Sequence, residues 1–484
     1  MVERRDFLRT GGVVGGIAAL GGRPLAGDEP WVLTDTRMTP VQEDLYQELL
    51  GMPVDDTHTH PMTFADDALT SDGFLERMAL SSFPMSRYFP DGVYGQWQTG
   101  DADARARLDA EHGISPIRDD VLRHARETIF IKGLVKELAR FLGSEPTLDA
   151  VLEARAARTR ADYAGYVREL FGAANVENAM LDMGYREGLD RAGVERFEAA
   201  IAPTRSWRIL RVDTIQSELW AASEDEDLGF DELLSRFDAR LADGLDGTGN
   251  LGARSYGMKS YLLPRLGLLK PEWDAGRAAA SWNAFRERRA AGALPRPDGV
   301  DRDEHWQIQS SVLRFLHSRA LEACLERDMP MQFHAGDGEA PRGIMRHQDP
   351  FLMEEMIRLE RGGVMRYPKV ILIHAGYPLG GRASWISHLY GNCYFELSLV
   401  TPLVHQGLVR VYLEAMESVP LTKILFGTDA YHLPEFNWLG ALWGRRFLAR
   451  ALATYVEGGL LGRDEAIEAA RRILHQNNRD VYGL

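Results

Sequence analysis

Cysteine is nearly absent from the sequence, and positive charge is not in excess. Only Cys324 and Cys393 occur among 484 residues, which excludes a disulfide framework. Since both fall in apolar segments, we interpret them as small core residues. Asp and Glu number 71 against 56 Lys and Arg, so the net charge is -15. A nucleic-acid partner usually requires a basic surface, so we expect none.

Long hydrophobic runs are missing as well. The apolar stretch from Thr10 to Leu20 is too short for a stable membrane span. It follows paired arginines and Phe-Leu within residues 4–9, a pattern that resembles a twin-arginine export signal. We therefore expect residues 1–30 to be a signal peptide, the twin-arginine export machinery to be a partner, and the mature protein to be periplasmic or extracellular.

Short apolar segments alternate with longer amphipathic ones along the rest of the chain. Strands that alternate with helices form a parallel sheet, and eight such units favour an α/β fold, a (β/α)8 TIM barrel, over residues 31–484. A doubly wound open sheet is the alternative, but no glycine-rich phosphate turn follows the first strand. The predicted strands are residues 54–58, 179–182, 207–212, 256–263, 330–334, 370–374, 394–398 and 424–429.

Residues 61–175 carry helical patterns and follow the first strand. They predict a helical insertion beside the barrel mouth, which could form a lid over a pocket or the dimerisation surface of a homo-oligomer. An excursion rich in Arg, Ala and Pro is expected at residues 270–304. Further helices are predicted at residues 230–242, 307–327, 350–361, 436–456 and 463–481.

Four histidines and an aspartate stand at the ends of predicted strands. His58 and His60 end the first strand, where residues i and i+2 point to one face and can bind one cation. His334, His374 and Asp429 end the fifth, sixth and eighth strands, and barrel enzymes keep their active sites at such ends. A hydrogen-bonded core histidine explains each residue singly but not the set. Imidazoles and a carboxylate without thiolate suit Zn²⁺ first, then Mn²⁺, Fe²⁺ or Ni²⁺.

This arrangement resembles the amidohydrolase superfamily. Within it, residues 52–484 are similar to the amidohydrolase-related branch and to the nodulin-like domain found fused to glutamine-synthetase-like domains. The similar segments are DTHTH at 56–60, Lys259-Ser260 with Arg265 and Gly267, QFHAGDG at 332–338, HAGYP at 374–378, FGTDA at 426–430, Pro434-Glu435 and NRDVY at 478–482.

The resemblance implies one or two divalent metal ions. With two ions, Lys259 is carboxylated and bridges them. With one ion, Lys259 is a cation that binds substrate or pairs with a nearby carboxylate, because a buried lysine needs a partner for its charge. His374 is then an electrophile or a group beside the ligands. The implied metal ligands are His58, His60, Lys259, His334, His374 and Asp429.

The expected activity is hydrolysis by metal-activated water of an amide, another C–N or an ester bond in a small carboxylated molecule. Asp429 and His374 are the predicted catalytic residues, with Asp429 as the proton acceptor. A one-metal lyase such as a decarboxylase, or a uronate-type isomerase, is the alternative, since related barrels perform all these reactions. An exported binding protein without catalysis is a third alternative, which the complete ligand set opposes.

Several further polar residues follow the predicted strands. Arg265 could pair with a substrate carboxylate through its guanidinium. Glu396 could lie beside the site or support a histidine, and for His432 a pocket or surface role is favoured over metal binding. The predicted substrate-binding residues are Arg265, Asp337, Tyr377 and Glu435.

Overall fold

Eight parallel strands pair in chain order within one sheet. The computed structural model describes residues 38–79, 88–90, 92–184, 189–249, 252–292, 302–336 and 344–484, so the expected signal at residues 1–30 lies outside the described residues. The strands are β1 Val54–Thr59, β2 Val176–Asp182, β3 Arg205–Arg211, β4 Ser255–Ser260, β5 Met331–His334, β6 Val370–Ile373, β7 Cys393–Glu396 and β8 Ile424–Leu425.

The first and last strands are joined by hydrogen bonds, so the sheet curls into a nearly closed barrel. The backbone N–H of Thr57 donates to the carbonyl of Phe426 over 3.1 Å, and that of Asp429 donates to the carbonyl of His58 over 2.7 Å. Regular pairing of β8 ends at Leu425, earlier than expected, because the following residues bond to β1 instead. The predicted (β/α)8 barrel is confirmed.

Each connection between successive strands contains at least one helix. Along the part of the chain that the structure describes the helices are α1 Pro40–Leu50, α2 Ser71–Ala79, α3 Val93–Thr99, α4 Ala102–His112, α5 Ile114–Arg126, α6 Ile129–Leu142, α7 Leu148–Ala174, α8 Arg191–Ile201, α9 Val212–Asp225, α10 Phe230–Asp246, α11 Leu262–Leu266, α12 Ala275–Ala290, α13 Arg302–Glu326, α14 Glu354–Arg358, α15 Gly380–Leu389, α16 Val400–Leu403, α17 Leu408–Ser418, α18 Glu435–Glu457, α19 Arg463–Arg471 and α20 Asn477–Tyr482.

Helices α2 to α7 form the expected insertion between β1 and β2. Their starts carry side chains that accept hydrogen bonds from otherwise unpaired backbone N–H groups: Asp101 begins α4, Thr128 begins α6 and Thr147 begins α7. The longest, α7, has 27 residues. No helix in the described ranges is both long and apolar enough to cross a bilayer.

Two predicted elements differ from the structure. The helix expected at residues 350–361 ends at Arg358, and a small hairpin follows in which Glu360–Arg361 pairs with Val364–Met365. The cause is the pair Gly362 and Gly363, whose positive φ angles of 60° and 80° form the turn. The strand expected to reach residue 263 ends at Ser260.

Two further helical predictions also need correction. Within the excursion expected at residues 270–304, Ala275–Ala290 forms helix α12, and residues 293–301 lie outside the described part. The helix expected at residues 463–481 is divided by a wider π turn at Arg472–Gln476. Sequence patterns predict that a helix is present in such segments, but they do not predict where the helix is interrupted.

The barrel interior includes the last helix. Val481 and Tyr482 pack in one apolar cluster with residues of β2, β3, β6 and β8. Gln332 of β5 donates to the hydroxyl of Tyr482 over 2.7 Å. A side chain on Gly257 of β4 would lie 3.0 Å from the Tyr482 ring, so glycine there leaves space for that ring.

Candidate active site at the barrel mouth

Two imidazoles converge on one carboxylate oxygen at the ends of β1 and β8. Oδ1 of Asp429 lies 3.0 Å from Nε2 of His58 and 3.1 Å from Nε2 of His60. Both histidines are buried. The donors of these three side chains all lie within 4.8 Å of one another, so the group could hold a metal ion.

The closure of the barrel positions these three residues. His60 donates its backbone N–H to the carbonyl of Ala430 over 2.9 Å, next to the bond between Asp429 and His58. Asp429 has a φ of 55°, an uncommon conformation for a residue with a side chain. Such strained residues concentrate at functional sites, where the surrounding structure holds them in place.

Two more histidines lie beside this group. Nε2 of His374 is 3.1 Å from Nδ1 of His334, and Nδ1 of His374 is 3.9 Å from Oδ2 of Asp429. Both are buried, and Nε2 of His334 has no hydrogen-bond partner among the described residues. A buried ring nitrogen without a partner is costly unless it binds something. All five residues predicted at strand ends therefore lie in one cluster.

The electrostatics favour the neutral form of three of the imidazoles and the charged form of the carboxylate. Burial, helped by the Lys259 cation, lowers the pKa of His58 to about 4. Burial likewise holds the pKa of His334 and His374 well below the ordinary value. Although burial opposes it, the His374 ring and hydrogen bonds from His58 and His60 hold the pKa of Asp429 far below its usual range. Neutral imidazole and ionised carboxylate are the forms that bind metals.

One contact indicates that a cation belongs among these atoms. Nε2 of His58 lies 3.0 Å from both Asp429 Oδ1 and the Nζ of Lys259. A protonated Nε2 can donate a hydrogen bond to the carboxylate but cannot accept one from the Lys259 ammonium. An unprotonated Nε2 can accept from the ammonium but has no proton to donate to the carboxylate. A metal ion held by the two imidazoles and the carboxylate removes this conflict, so the residues present fit such an ion. The metal's identity is not defined by them.

Residues 276–484 match the model of the family described as Amidohydrolase. This segment contains β5 to β8 and three of the five clustered residues. The matched segment is therefore similar to the amidohydrolase family. Among curated proteins, Protein fluG of Emericella nidulans is 24% identical over 393 residues, which cover 78% of this chain and 44% of fluG. The chain thus spans less than half the length of that relative.

Solved structures of low identity share the barrel. A protein of Lactobacillus casei ATCC 334 described as a metal-dependent hydrolase has a TM-score of 0.65 at 20% identity, over 91% of this chain and 97% of that one. Uronate isomerase of Thermotoga maritima has a TM-score of 0.58 at 13% identity, over 92% of this chain and 98% of that one. Glucuronate isomerase of Caulobacter crescentus has a TM-score of 0.56 at 13% identity, over 92% of this chain and 94% of that one. These likenesses show the fold. The family match over residues 276–484 indicates an enzyme.

Three charged residues complete this amidohydrolase-like site, and sequence reasoning singled out only one of them. Nζ of Lys259, at the end of β4, is 3.8 Å from Oδ2 of Asp182 on β2. Arg211 on β3 donates through Nε to the same oxygen over 3.1 Å. Burial and then Arg211 lower the pKa of Lys259 to about 8. The available signal was a charged residue at the end of two neighbouring predicted strands: Asp182 is the last residue of 179–182, and Arg211 is the next-to-last residue of 207–212.

Glu396 and Ser398 lie behind His374. Oε2 of Glu396 accepts from the Ser398 hydroxyl over 2.6 Å and from the backbone N–H of His374 over 3.2 Å. Thr57 donates to Oε1 over 2.8 Å. Burial raises the pKa of Glu396 to about 8. The carboxyl group therefore supports the position of His374 without facing the metal-binding atoms directly.

The predicted substrate-binding residues have different surroundings. Glu435 is fully buried at the start of α18, where Oε1 forms an ion pair with Arg155 of the insertion. Tyr377 is half-buried after β6, and its carbonyl would lie 2.3 Å from a side chain on Gly336. Asp337 and the side chain of Arg265 lie outside the described part of the structure. His432 is buried, with Nδ1 3.5 Å from Nη1 of Arg77.

Proposed function

We propose that the protein is a metal-dependent hydrolase that cleaves an amide, another C–N or an ester bond of a small carboxylated molecule. The observation that carries this proposal is the convergence of His58 Nε2 and His60 Nε2 on Asp429 Oδ1. The family match over residues 276–484 supports it. His334 and His374 extend the ligand set, which suits zinc first, then manganese, iron or nickel.

The chain's own residues supply binding and proton transfer. A divalent cation at such a site supplies Lewis-acid activation of water and of a carbonyl oxygen. Asp429, which is ionised, accepts the proton of the attacking water and later delivers it to the leaving group. His374 is held by hydrogen bonds on its backbone and Nδ1, so its ring is oriented to contact the polarised carbonyl or to bind the ion. The buried side chains around them exclude bulk water.

Lys259 decides between one ion and two. Its Nζ lies 3.0 Å from Nε2 of His58 and 3.8 Å from Asp182, so a carboxylated form could bridge two ions and an ammonium form could bind substrate beside one. Growth with ¹³C-labelled bicarbonate followed by ¹³C NMR distinguishes these forms. A carbamate signal that disappears in Lys259→Arg supports the bridge.

A one-metal lyase or uronate-type isomerase is the second candidate. Within the described residues, a single group of three, His58, His60 and Asp429, meets the geometry for holding an ion. Uronate isomerases have the same fold, although their low identity carries no activity to this chain. One ion per chain and turnover of a uronate, with no turnover of amides or esters, would favour this candidate.

Metal content tests the proposal first. Elemental analysis of the purified protein is expected to find one or two ions per chain, and the double variant His58→Ala, His60→Ala is expected to lose them. His124→Ala is the matched control, since its side chain is 64% exposed. Amides, γ-glutamyl compounds and esters with a carboxylate are then screened. Protein that holds no metal, or a double variant that retains it, would refute the metal mechanism.

The proposal also includes the localisation, the narrower family similarity and the oligomeric state of the protein. We propose export through the twin-arginine machinery to the periplasm or the extracellular space, on the pattern of residues 4–9. The narrower similarity to the nodulin-like domain depends on the motif residues alone. A homo-oligomer formed through the insertion is compatible with the exposed Ile129 on α6, and size-exclusion chromatography with light scattering tests it.

A further inference from the structure

Arg211 occupies a fixed position at the barrel mouth, and the proposed hydrolysis gives it no role. The side chain of its acidic partner Asp182 is fully buried, as is almost all of Lys259, whereas 16% of the Arg211 side chain is exposed. Register places Arg211 directly opposite Lys259 in the pairing of β3 with β4. The two cations therefore stand side by side where the strands end, next to His58.

We propose that Arg211 and Lys259 form a subsite that binds a carboxylate of the substrate beside the metal-binding histidines. The inference rests on the proposed function and names its substrate class. It takes Lys259 in its ammonium form. It also assigns the carboxylate to Arg211, a residue that the sequence patterns did not mark.

The hydrogen bonds of Arg211 leave part of its guanidinium available. Nε and Nη2 both donate to Oδ2 of Asp182, whose Oδ1 accepts from the backbone N–H of Gly184 over 2.9 Å. Nη1 of Arg211 donates to no residue that the structure describes. One guanidinium nitrogen and one ammonium thus supply two charged donors, and a carboxylate presents two acceptor oxygens.

The space around Arg211 is shaped for an arginine. A Cβ on Gly184 would lie 2.2 Å from Cδ and 2.4 Å from Cβ of Arg211, so any side chain there would displace it. The guanidinium carbon is 5.8 Å from the centre of the Tyr261 ring, which in turn is 5.1 Å from the His334 ring. These contacts place Arg211 beside the Tyr261 ring, which in turn lies beside the histidine cluster.

The balance of charge favours a carboxylate over a neutral group. The ionised Asp182 and Asp429 balance Arg211 and Lys259, and burial lowers the pKa of His58, His334 and His374, which favours their neutral forms. A divalent cation would add positive charge that none of these side chains balances. In a site shielded from water, such a charge is stabilised best by an anionic substrate group.

Calorimetric titration tests the subsite with glutarate as probe and glutaramide as its uncharged analogue. The double variant Asp182→Asn, Arg211→Gln removes one of the two subsite cations together with the carboxylate that pairs with it. We expect its Kd for glutarate to rise at least about tenfold, the loss typical of a charged hydrogen bond, with binding of glutaramide unchanged. The variant Asp238→Asn, Arg319→Gln removes a similar Arg–Asp pair on α10 and α13 and is expected to bind glutarate normally.

A second variant keeps the charges and moves the arginine. Gly184→Ala is expected to weaken glutarate binding as well, with the same thermal unfolding temperature within a few degrees. A Kd for glutarate within about twofold of the unaltered protein in both variants would overturn the subsite. So would inorganic phosphate that binds more tightly than glutarate and loses its affinity in the double variant, because the ligand class would then be wrong.

Metal content, measured on the same samples, separates this inference from the proposed function. If metal content is normal and glutarate binding is unchanged in both variants, the subsite is refuted but the proposed function is not. Protein without metal refutes the hydrolase mechanism, yet the titrations still report whether Arg211 binds a carboxylate.

Discussion

Nδ1 of His374 lies 2.9 Å from the hydroxyl oxygen of Ser398. The same hydroxyl donates to Glu396 over 2.6 Å, so its oxygen accepts the Nδ1–H of His374. This fixes the tautomer of the ring and leaves Nε2 unprotonated, the form in which an imidazole binds a metal or accepts a proton.

We expect Ser398→Ala to weaken metal binding about 10- to 100-fold, because support of this kind around a metal ligand has that value. Competition with a chelator of known affinity measures it. Ser384→Ala is the control, since that hydroxyl is buried but has no hydrogen-bond partner among the described residues. Equal metal affinity in the two variants would contradict the role assigned to Ser398.

The pKa of Glu396 predicts how stability changes with pH. Burial raises this pKa from its ordinary 4.5 to about 8, so the native state binds the proton more tightly than the unfolded chain. The stabilisation is present below pH 4.5 and is lost as pH rises toward about 8. Chemical unfolding of the wild type is therefore expected to lose more free energy across this range than Glu396→Gln. Parallel pH curves for both proteins would refute the assignment.

Arg155 and Glu435 anchor the insertion to the barrel. Only 1% of the Arg155 side chain and none of the Glu435 side chain are exposed, and Tyr166 also donates to Glu435 over 2.9 Å. Arg155→Met leaves a buried carboxylate without its partner, which we expect to cost about 3–5 kcal/mol of unfolding free energy. Arg158→Met on the same helix removes an exposed pair with Glu169 and is expected to cost under about 1 kcal/mol.

Urea denaturation measures both variants. The double variant Arg155→Met, Glu435→Gln is expected to recover much of the loss, because no buried charge remains unpaired. A double variant as unstable as Arg155→Met would mean that packing, and not charge, holds this contact.

Gly427, which follows β8, allows this part of the chain to approach Glu396. A Cβ at this position would lie 1.9 Å from Oε1 of Glu396 and 2.8 Å from Oγ1 of Thr57. Both atoms belong to buried, hydrogen-bonded groups, so Gly427→Ala is expected to destabilise the protein by about 1–3 kcal/mol. Gly172→Ala in α7, where a Cβ meets nothing within 4 Å, is expected to stabilise by up to about 1 kcal/mol. Differential scanning fluorimetry that ranks them in the reverse order would contradict this packing.

Export is testable independently of the fold. If residues 4–9 form a twin-arginine signal, Arg4→Lys with Arg5→Lys blocks transport, because recognition requires the paired arginines. Fractionation of a bacterial host into periplasm and cytoplasm, followed by immunoblotting, measures it. Transport of the double lysine variant at the normal level would refute the twin-arginine route.

The strand order and the histidine cluster were predictable from sequence for a physical reason. A buried strand of a parallel barrel is a short apolar run, and His334 and His374 follow such runs directly. Polar side chains at the ends of these runs are therefore expected to lie together at one end of the barrel.

The remaining parts of the site depend on tertiary contacts. Asp182 and Arg211 look like ordinary charged residues until the register of β2, β3 and β4 brings them together with Lys259. Glu435 meets an arginine 280 positions away, and no local pattern announces such a partner. The hairpin after Arg358 depends on two glycines whose conformations the apolar pattern does not record.

The hydrogen bonds that join β1 to β8 and the residues after it form a seam, which also affects the rate of folding. Thr59 and Ala430 are bonded across 371 positions of sequence, so this contact closes one of the largest loops in the chain. Closure of long loops is slow, and contacts with large sequence separation limit the rate of folding. His58, His60 and Asp429 meet only when that seam has formed, so capture of a metal ion by these three residues would mark the end of folding.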